Sequence, residues 1–316
     1  MRVLVTGAAG FIGRRLLREL TAAGALAGRP IAEIVAADLA AAPPGPRVVP
    51  AVGTIGDPRF LDALFAGDGF DAVFHLAASL TSEAEADLGH GLAVNLEGLL
   101  ALLARCRARA KPTRFVFASS IAAFGGELPE VVEDDTRRTP RTSYGTQKLI
   151  AELLLADHAR QGALDARALR LPIVLTRPGL PNPAVSDRIA AILREPLMGR
   201  DVEIPLRPDT PLPLVTVQRV AQALRLVHDM PAEAFPPSRA INLPALTATP
   251  AEMVAAVQRR GATGRVSWAP DPALQAVVEG WPRRFRSATA GRHGIHAVES
   301  VDAVVEAFLG PLAPVA

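Results

Sequence analysis

The chain has 316 residues, 49% apolar and 21% charged, so it can bury a sizeable core and is not a disordered segment. Lysine and arginine number 34 against 32 aspartate and glutamate, a formal charge of +2 with no dense basic block, which argues against nucleic acid or anionic membrane as a partner. The single cysteine, Cys106, excludes an internal disulfide and fits a reducing cytoplasm.

The predicted elements alternate. "RVLVTG" (2–7) reads as a β-rich run ending in glycine, and "FIGRRLLRELTAAG" (11–24) has helical periodicity. "IAEIVAAD" (31–38) is a second strand closed by an acid, 58–67 a short helix and "DAVFHLAA" (71–78) a third strand. A long apolar helix over 92–109, a strand over 114–120, a helix over 144–161 and a strand within 164–175 follow. Strands alternating with helices imply βαβ units and a parallel sheet covered on both faces.

The expected fold is therefore α/β, a doubly wound parallel-sheet Rossmann fold with a smaller C-terminal substrate lobe. Residues 1–175 form the first domain, which carries the parallel sheet. Beyond about 176 the proline-rich stretches "TRPGLPNP" and "LRPDTPLPLV" and shorter helices mark a substrate-binding lobe over 176–316. "RAINLPA" (239–245) reads as a strand returning to the main sheet. The opening "MRVLVTG" has no leader pattern, and no apolar run reaches about 18 residues, so no membrane span is expected.

"TGAAGFIG" sets Gly7, Gly10 and Gly13 at G-x-x-G-x-x-G spacing between a strand and a helix. Gly7 permits the tight turn, Gly10 lets backbone approach a pyrophosphate, and Gly13 lets the helix pack on the strand. The helix N-terminus offers N–H groups and a positive dipole end to phosphates. Asp38, ending the second strand, would accept hydrogen bonds from ribose hydroxyls and repel a 2′-phosphate, favouring NAD over NADP. Asp57 has two readings, a partner for the adenine amine or the N-cap before Pro58.

Tyr144 is the only tyrosine, and Lys148 is one of two lysines. At i and i+4 they share a helix face. A free tyrosine, with pKa near 10, is a poor base at neutral pH; a neighbouring cation favours phenolate. Such a tyrosine can take an alcohol proton as hydride passes to nicotinamide.

Together, "TGAAGFIG", Asp38, "HLAA" (75–78), Asn95 in "VNLEG", "SS" (119–120) and "YGTQK" (144–148) resemble the extended short-chain dehydrogenase/reductases across essentially the whole chain. The resemblance implies Ser120, Tyr144 and Lys148 as catalytic residues, with Lys148 also holding the nicotinamide ribose and keeping the tyrosine pKa down. It implies a cofactor cleft of Gly7, Gly10, Phe11, Ile12, Gly13, Asp38, Asp57, Leu76, Ala77, Ala78, Asn95, Tyr144, Lys148, Pro172 and Ile173, with Asn95 as a helix-breaking or relay residue. It also implies homodimers through the long helices starting near 92 and 144.

Within the family, residues 79–95 and 170–199 are similar to D-erythronate dehydrogenases, which oxidise C2 of a four-carbon sugar acid. A small sugar acid is then the expected substrate. Arg177 is the candidate for its carboxylate, which a guanidinium can match with two parallel hydrogen bonds, its other reading being a loop arginine capping carbonyls; Ser82, Ser120, Asn182 and Ser186 are the other substrate-binding candidates. Ile173 stands where sugar-nucleotide epimerases commonly carry asparagine, and no aromatic is evident to stack on a nucleobase. A nucleotide-sugar 4-epimerase with tightly bound NAD, and an NAD-sensing protein without turnover, are the alternatives. His75 reads as a packing histidine. His293 and His296 lack neighbours at ligand spacing, so no metal is expected.

Overall fold

The computed structural model describes residues 1–109, 111–175 and 184–310. The main sheet has seven strands. They are β1 (Arg2–Thr6), β2 (Glu33–Asp38), β3 (Val48–Val52), β4 (Ala72–His75), β5 (Thr113–Ser120), β6 (Leu164–Leu171) and, after three strands of the second lobe, β10 (Ala240–Asn242). Their spatial order is β10-β6-β5-β4-β1-β2-β3, and every pairing is parallel. The chain starts in the middle, runs to one edge through β2 and β3, then returns to build the other side from β4. That reversal between β1 and β4 opens a crevice at the carboxyl ends of the strands, the ligand position of doubly wound sheets.

Side-chain alternation along the strands explains the two covered faces. Val3, Val5, Phe74 and Val116 point to one side, where α1 (Phe11–Ala23) and α8 (Val217–Asp229) supply Leu16, Leu20, Val220 and Leu224. Leu4, Val73, Phe115 and Phe117 point to the other, where Leu99, Leu102 and Leu103 of α5 (Gly98–Arg107) and Leu155 of α6 (Ser143–Arg160) cover them. Each such leucine is fully buried, or nearly so, and contributes roughly 1.5–3 kcal/mol. Cys106 lies in the second layer as a core filler, its thiol pushed up to about 12 by burial.

Several elements differ from the sequence reading. Strand β3, "VVPAV", was not expected. It lies at the sheet edge, where Pro50 loses no ladder donor that a central strand would need. The predicted strand within 164–175 breaks at Pro172, which has no N–H to continue the ladder. Leu164–Leu171 stays in the main sheet, while Ile173–Leu175 (β7) turns away to pair with β9 (Leu212–Thr216). The single helix over 92–109 is instead α4 (Leu88–Leu92), a π-helical turn over Ala93–Glu97, and α5.

The second lobe has its own core, built from Ile173, Leu175, Ile189, Leu193, Leu212, Leu214 and Val257 among others. Among its helices, α7 (Val185–Leu197) has 13 residues, as α1 does, while the first half holds the 18-residue α6. Helix α8 packs on α1, and Ala240–Asn242 pairs with Ala168–Arg170, so the segment 217–242 belongs to the main sheet layer. The remaining lobe elements are β8 (Val202–Ile204) paired with β12 (Val266–Trp268), β11 (Leu246–Ala248) beside β9, and α9 (Pro250–Arg259) and α10 (Pro272–Glu279). Among the described residues, no helix is long and apolar enough to cross a membrane.

Candidate active site

A cavity of about 660 Å³ runs along the carboxyl ends of β1, β2, β4 and β5 and under the second lobe. Its wall includes Gly7, Gly10, Phe11, Ile12, Gly13, Asp38, Leu76, Ala77, Ala78, Ser82, Ser120, Tyr144, Lys148, Pro172, Ile173 and Ser186.

The glycine turn is set by close backbone packing. Gly7 has φ of 71°, and a Cβ there would lie 2.7 Å from Ala77 N. A Cβ on Gly13 would lie 2.1 Å from Gly7 O. No side-chain oxygen caps α1, so its N-terminus faces the cleft with backbone donors available for an anion. Asp38 closes the turn: Oδ2 accepts from Ala9 N at 2.9 Å. One carboxylate thus braces the glycine loop and stands in the cleft wall where an adenosine ribose would sit.

At the other end, Ser120 finishes β5 in an extended conformation, and its Oγ accepts from Ala122 N at 3.1 Å. Helix α6 begins at Thr142, whose Oγ1 accepts from Gly145 N at 3.0 Å. Gly145 then allows α6 to press on the turn after Ser120, since a Cβ there would lie 2.0 Å from Ala122 O. That approach brings Tyr144 and Ser120 together in the wall of the cavity. Burial pushes the tyrosine pKa up to about 12, and the neighbouring Ser120 hydroxyl opposes the rise. Lys148 is buried; its Nζ donates to Ala118 O at 2.9 Å and lies 4.5 Å from the Phe117 ring centre. Burial lowers it to about 7, against an upward pull from Glu152. In the protein alone the lysine therefore loses its proton before the tyrosine does.

His75 ends β4 against Thr6, its Nδ1 2.7 Å from Thr6 Oγ1, and stacks on Phe117. Burial first, and then Lys148, take its pKa down from 6.5 to about 3, so the folded protein keeps it neutral. Between those values the unfolded chain binds a proton that the folded chain does not. The stability is whole above pH 6.5 and falls as pH drops toward 3, by about 1.4 kcal/mol per unit from this group. Urea titrations across that window should show His75→Phe losing this slope; an unchanged slope would place the acid sensitivity elsewhere.

Two expected cofactor residues are not in the wall. Asp57 N-caps helix α2 (Pro58–Leu64), accepting from Arg59 N at 2.9 Å, so the capping reading holds. Asn95 sits buried in the π-helical turn, where Oδ1 accepts from Ser79 N and Nδ2 donates to Ser79 O, both at 2.9 Å, and to Gln147 Oε1 at 2.6 Å. It ties the loop after β4 to α6, shaping the cleft without lining it. Ser82, on α3 (Thr81–Ala86), and Ser186, on α7, both line the cavity. Arg177 and Asn182 lie outside the described residues.

The sequence reading also missed residues that line the cleft. Trp281, on the loop after α10, contributes an indole to the wall, and His90 of α4 an imidazole. Neither sits in a motif, and Trp281 reaches the cavity only through the packing of the second lobe. No group of three or more His, Cys, Asp or Glu side chains converges among the described residues.

Comparison with known proteins matches residues 3–243 to the NAD dependent epimerase/dehydratase family. The chain belongs to that family. The curated D-erythronate dehydrogenase of Cupriavidus necator is 40% identical, with 98% of both chains covered. That of Haemophilus influenzae is 33% identical over 98% of this chain and 99% of its own. Among solved structures, one described as a nucleoside-diphosphate-sugar epimerase from Agrobacterium tumefaciens superposes with a TM-score of 0.91 at 32% identity, covering 98% of this chain and 94% of that one. As a member of the epimerase/dehydratase family this protein is an NAD-dependent oxidoreductase acting on CH–OH groups. The residues fit that cofactor: the glycine cradle at the α1 N-terminus would take the pyrophosphate, Asp38 the adenosine ribose and Lys148 the nicotinamide ribose.

Proposed function

We propose that the protein oxidises the C2 hydroxyl of D-erythronate or a closely similar small sugar acid, with Tyr144 as acid/base. The observation that carries the reaction is the convergence of Ser120, Tyr144 and Lys148 in the wall of the same cavity as the glycine cradle and Asp38. The substrate class comes from the two full-length D-erythronate dehydrogenase relatives.

Bound NAD supplies the hydride acceptor and a positively charged ring. Tyr144 takes the proton of the C2 hydroxyl, because its phenolic oxygen is the one titratable oxygen beside Ser120 in that wall. Ser120 donates to the substrate oxygen and fixes its place relative to Tyr144. Lys148, in its ammonium form, favours the phenolate over the phenol. Ser82 and Ser186 approach from opposite lobes and suit a chain of hydroxyls, and Arg177 is assigned to the carboxylate. Residues 1–175 carry the cofactor and 176–316 the substrate, with α8 and β10 lent back to the sheet.

The nucleotide-sugar epimerase reading keeps one observation in its favour: Trp281 supplies the cleft aromatic that the sequence did not reveal. Calorimetry with UDP-sugars separates the two. Tight binding, with NAD retained and none released reduced, would replace the dehydrogenase reading. Reduction of NAD by D-erythronate without UDP-sugar binding is the expected outcome. A homodimer through α5 and α6 belongs to the same proposal, as Leu100, Ile150 and Leu153 stand exposed on those helices. So does a cytoplasmic location, consistent with the lone buried thiol of Cys106.

A further inference from the structure

Behind the Tyr144–Lys148 face lies a buried polar cluster. Glu152, on α6 one turn beyond Lys148, is 3% exposed. Its Oε1 accepts from Ser119 Oγ at 2.5 Å and from Arg170 Nε at 2.9 Å, and its Oε2 accepts from Arg170 Nη2 at 2.9 Å. Arg170 on β6 is itself fully buried and donates further to Asp134 O and Asn242 Oδ1. Ser119 is the strand neighbour of Ser120.

We propose that Glu152 is a positioning residue for the reaction, holding Lys148 in its ammonium form and pinning the Ser119–Ser120 end of β5 to α6. The inference rests on the assignment of Tyr144 and Lys148 to the active site.

The surroundings explain why a carboxylate is needed there. Lys148 is buried against Phe117 and donates to a neutral carbonyl, that of Ala118, so its setting disfavours charge. The charged and titratable groups around it come from every neighbouring element. On α6 there are Tyr144 and Glu152; on β4, neutral His75; on β6, Arg170; on the loop before α6, Asp134 and half-buried Arg138. Of these only Glu152 draws the lysine toward its protonated form; its pKa already sits at about 7 with that pull included. The bidentate Arg170 pair offsets the cost of burying the Glu152 charge. Glu152 holds Ser119 while Lys148 holds Ala118, so the two side chains of α6 grip adjacent residues of β5, and without the carboxylate Lys148 would lose the pull toward its ammonium form.

The test is the pH profile of kcat/KM for D-erythronate at saturating NAD, in the wild type, E152Q and E152D. The ascending limb reports ionisation of the base. In E152Q it should move up by about one pH unit, the size of a single lost charge partner. E152D, which keeps the charge, should return it toward the wild-type position. A folded E152Q whose limb coincides with the wild type overturns the proposal. Should E152Q fail to fold by circular dichroism, E152Q/R170M removes both charges together and avoids an orphaned buried ion. Its limb should move in the same direction, and an unmoved limb again overturns the proposal. Y144F keeps the two failures apart: if it retains wild-type turnover, the tyrosine assignment fails first, whereas a normal Y144F loss with an unmoved E152Q limb refutes only the role of Glu152.

Discussion

Tyr144→Phe is expected to lower kcat by about 10²–10⁴-fold, the usual loss when a general acid/base is removed. The phenyl ring fills the same half-buried place beside Lys148 and Ser120, so fold and cavity shape should survive. What disappears is the phenolic oxygen that shares the cavity wall with Ser120. NAD affinity, measured by calorimetry, should stay within a few-fold, because the glycine cradle and Asp38 lie at the other end of the cleft. A kcat within tenfold of the wild type would mean that another group moves the proton.

The second large effect concerns Gly13→Ala. The added Cβ would sit 2.1 Å from Gly7 O and 2.7 Å from Ala8 Cα, both backbone atoms that cannot rotate away. The turn from Gly7 to Gly10 must shift, at a cost of about 1–3 kcal/mol in stability. The same displacement moves the backbone donors at the α1 N-terminus, and 1–3 kcal/mol there is about 10- to 10²-fold in NAD affinity. Thermal unfolding and calorimetric NAD titration read the two losses separately. Gly10→Ala is the control for stability, since its Cβ meets only Gly7 O, at 3.2 Å, and should cost much less. Equal losses of stability in the two variants would contradict the packing argument.

Both residues were legible before any coordinates, for a physical reason. Gly7 and Gly13 lie within one stretch of seven residues, and Tyr144 and Lys148 one helical turn apart, so local spacing alone encodes their geometry. The strands near the centre of the sheet were legible in the same way, because burial on both faces makes them continuous apolar runs. Strand β3 was not, since an edge strand with Pro50 carries a weaker pattern and is half exposed. Asp57 could not be resolved from sequence because a carboxylate before Pro58 suits capping and adenine recognition equally, and its hydrogen bond to Arg59 N shows the cap. Gly145 and Trp281 were missed for opposite reasons. Gly145 lies inside the tyrosine motif, but its contact with Ala122 is tertiary. Trp281 enters the cleft from more than 130 residues away in sequence, through a lobe whose packing no local pattern announces. Glu152 likewise looks like any solvated helix acid until Ser119 and Arg170 are seen to close around it.

The most direct measurement is the absorbance of reduced nicotinamide when the purified protein is incubated with NAD and D-erythronate. The structure and its relatives lead to a steady rise that requires both compounds and is abolished in Y144F. No rise with D-erythronate or with any of a panel of four- to six-carbon aldonates and uronates, under conditions where NAD binds, would contradict the assignment of this cleft to sugar-acid oxidation.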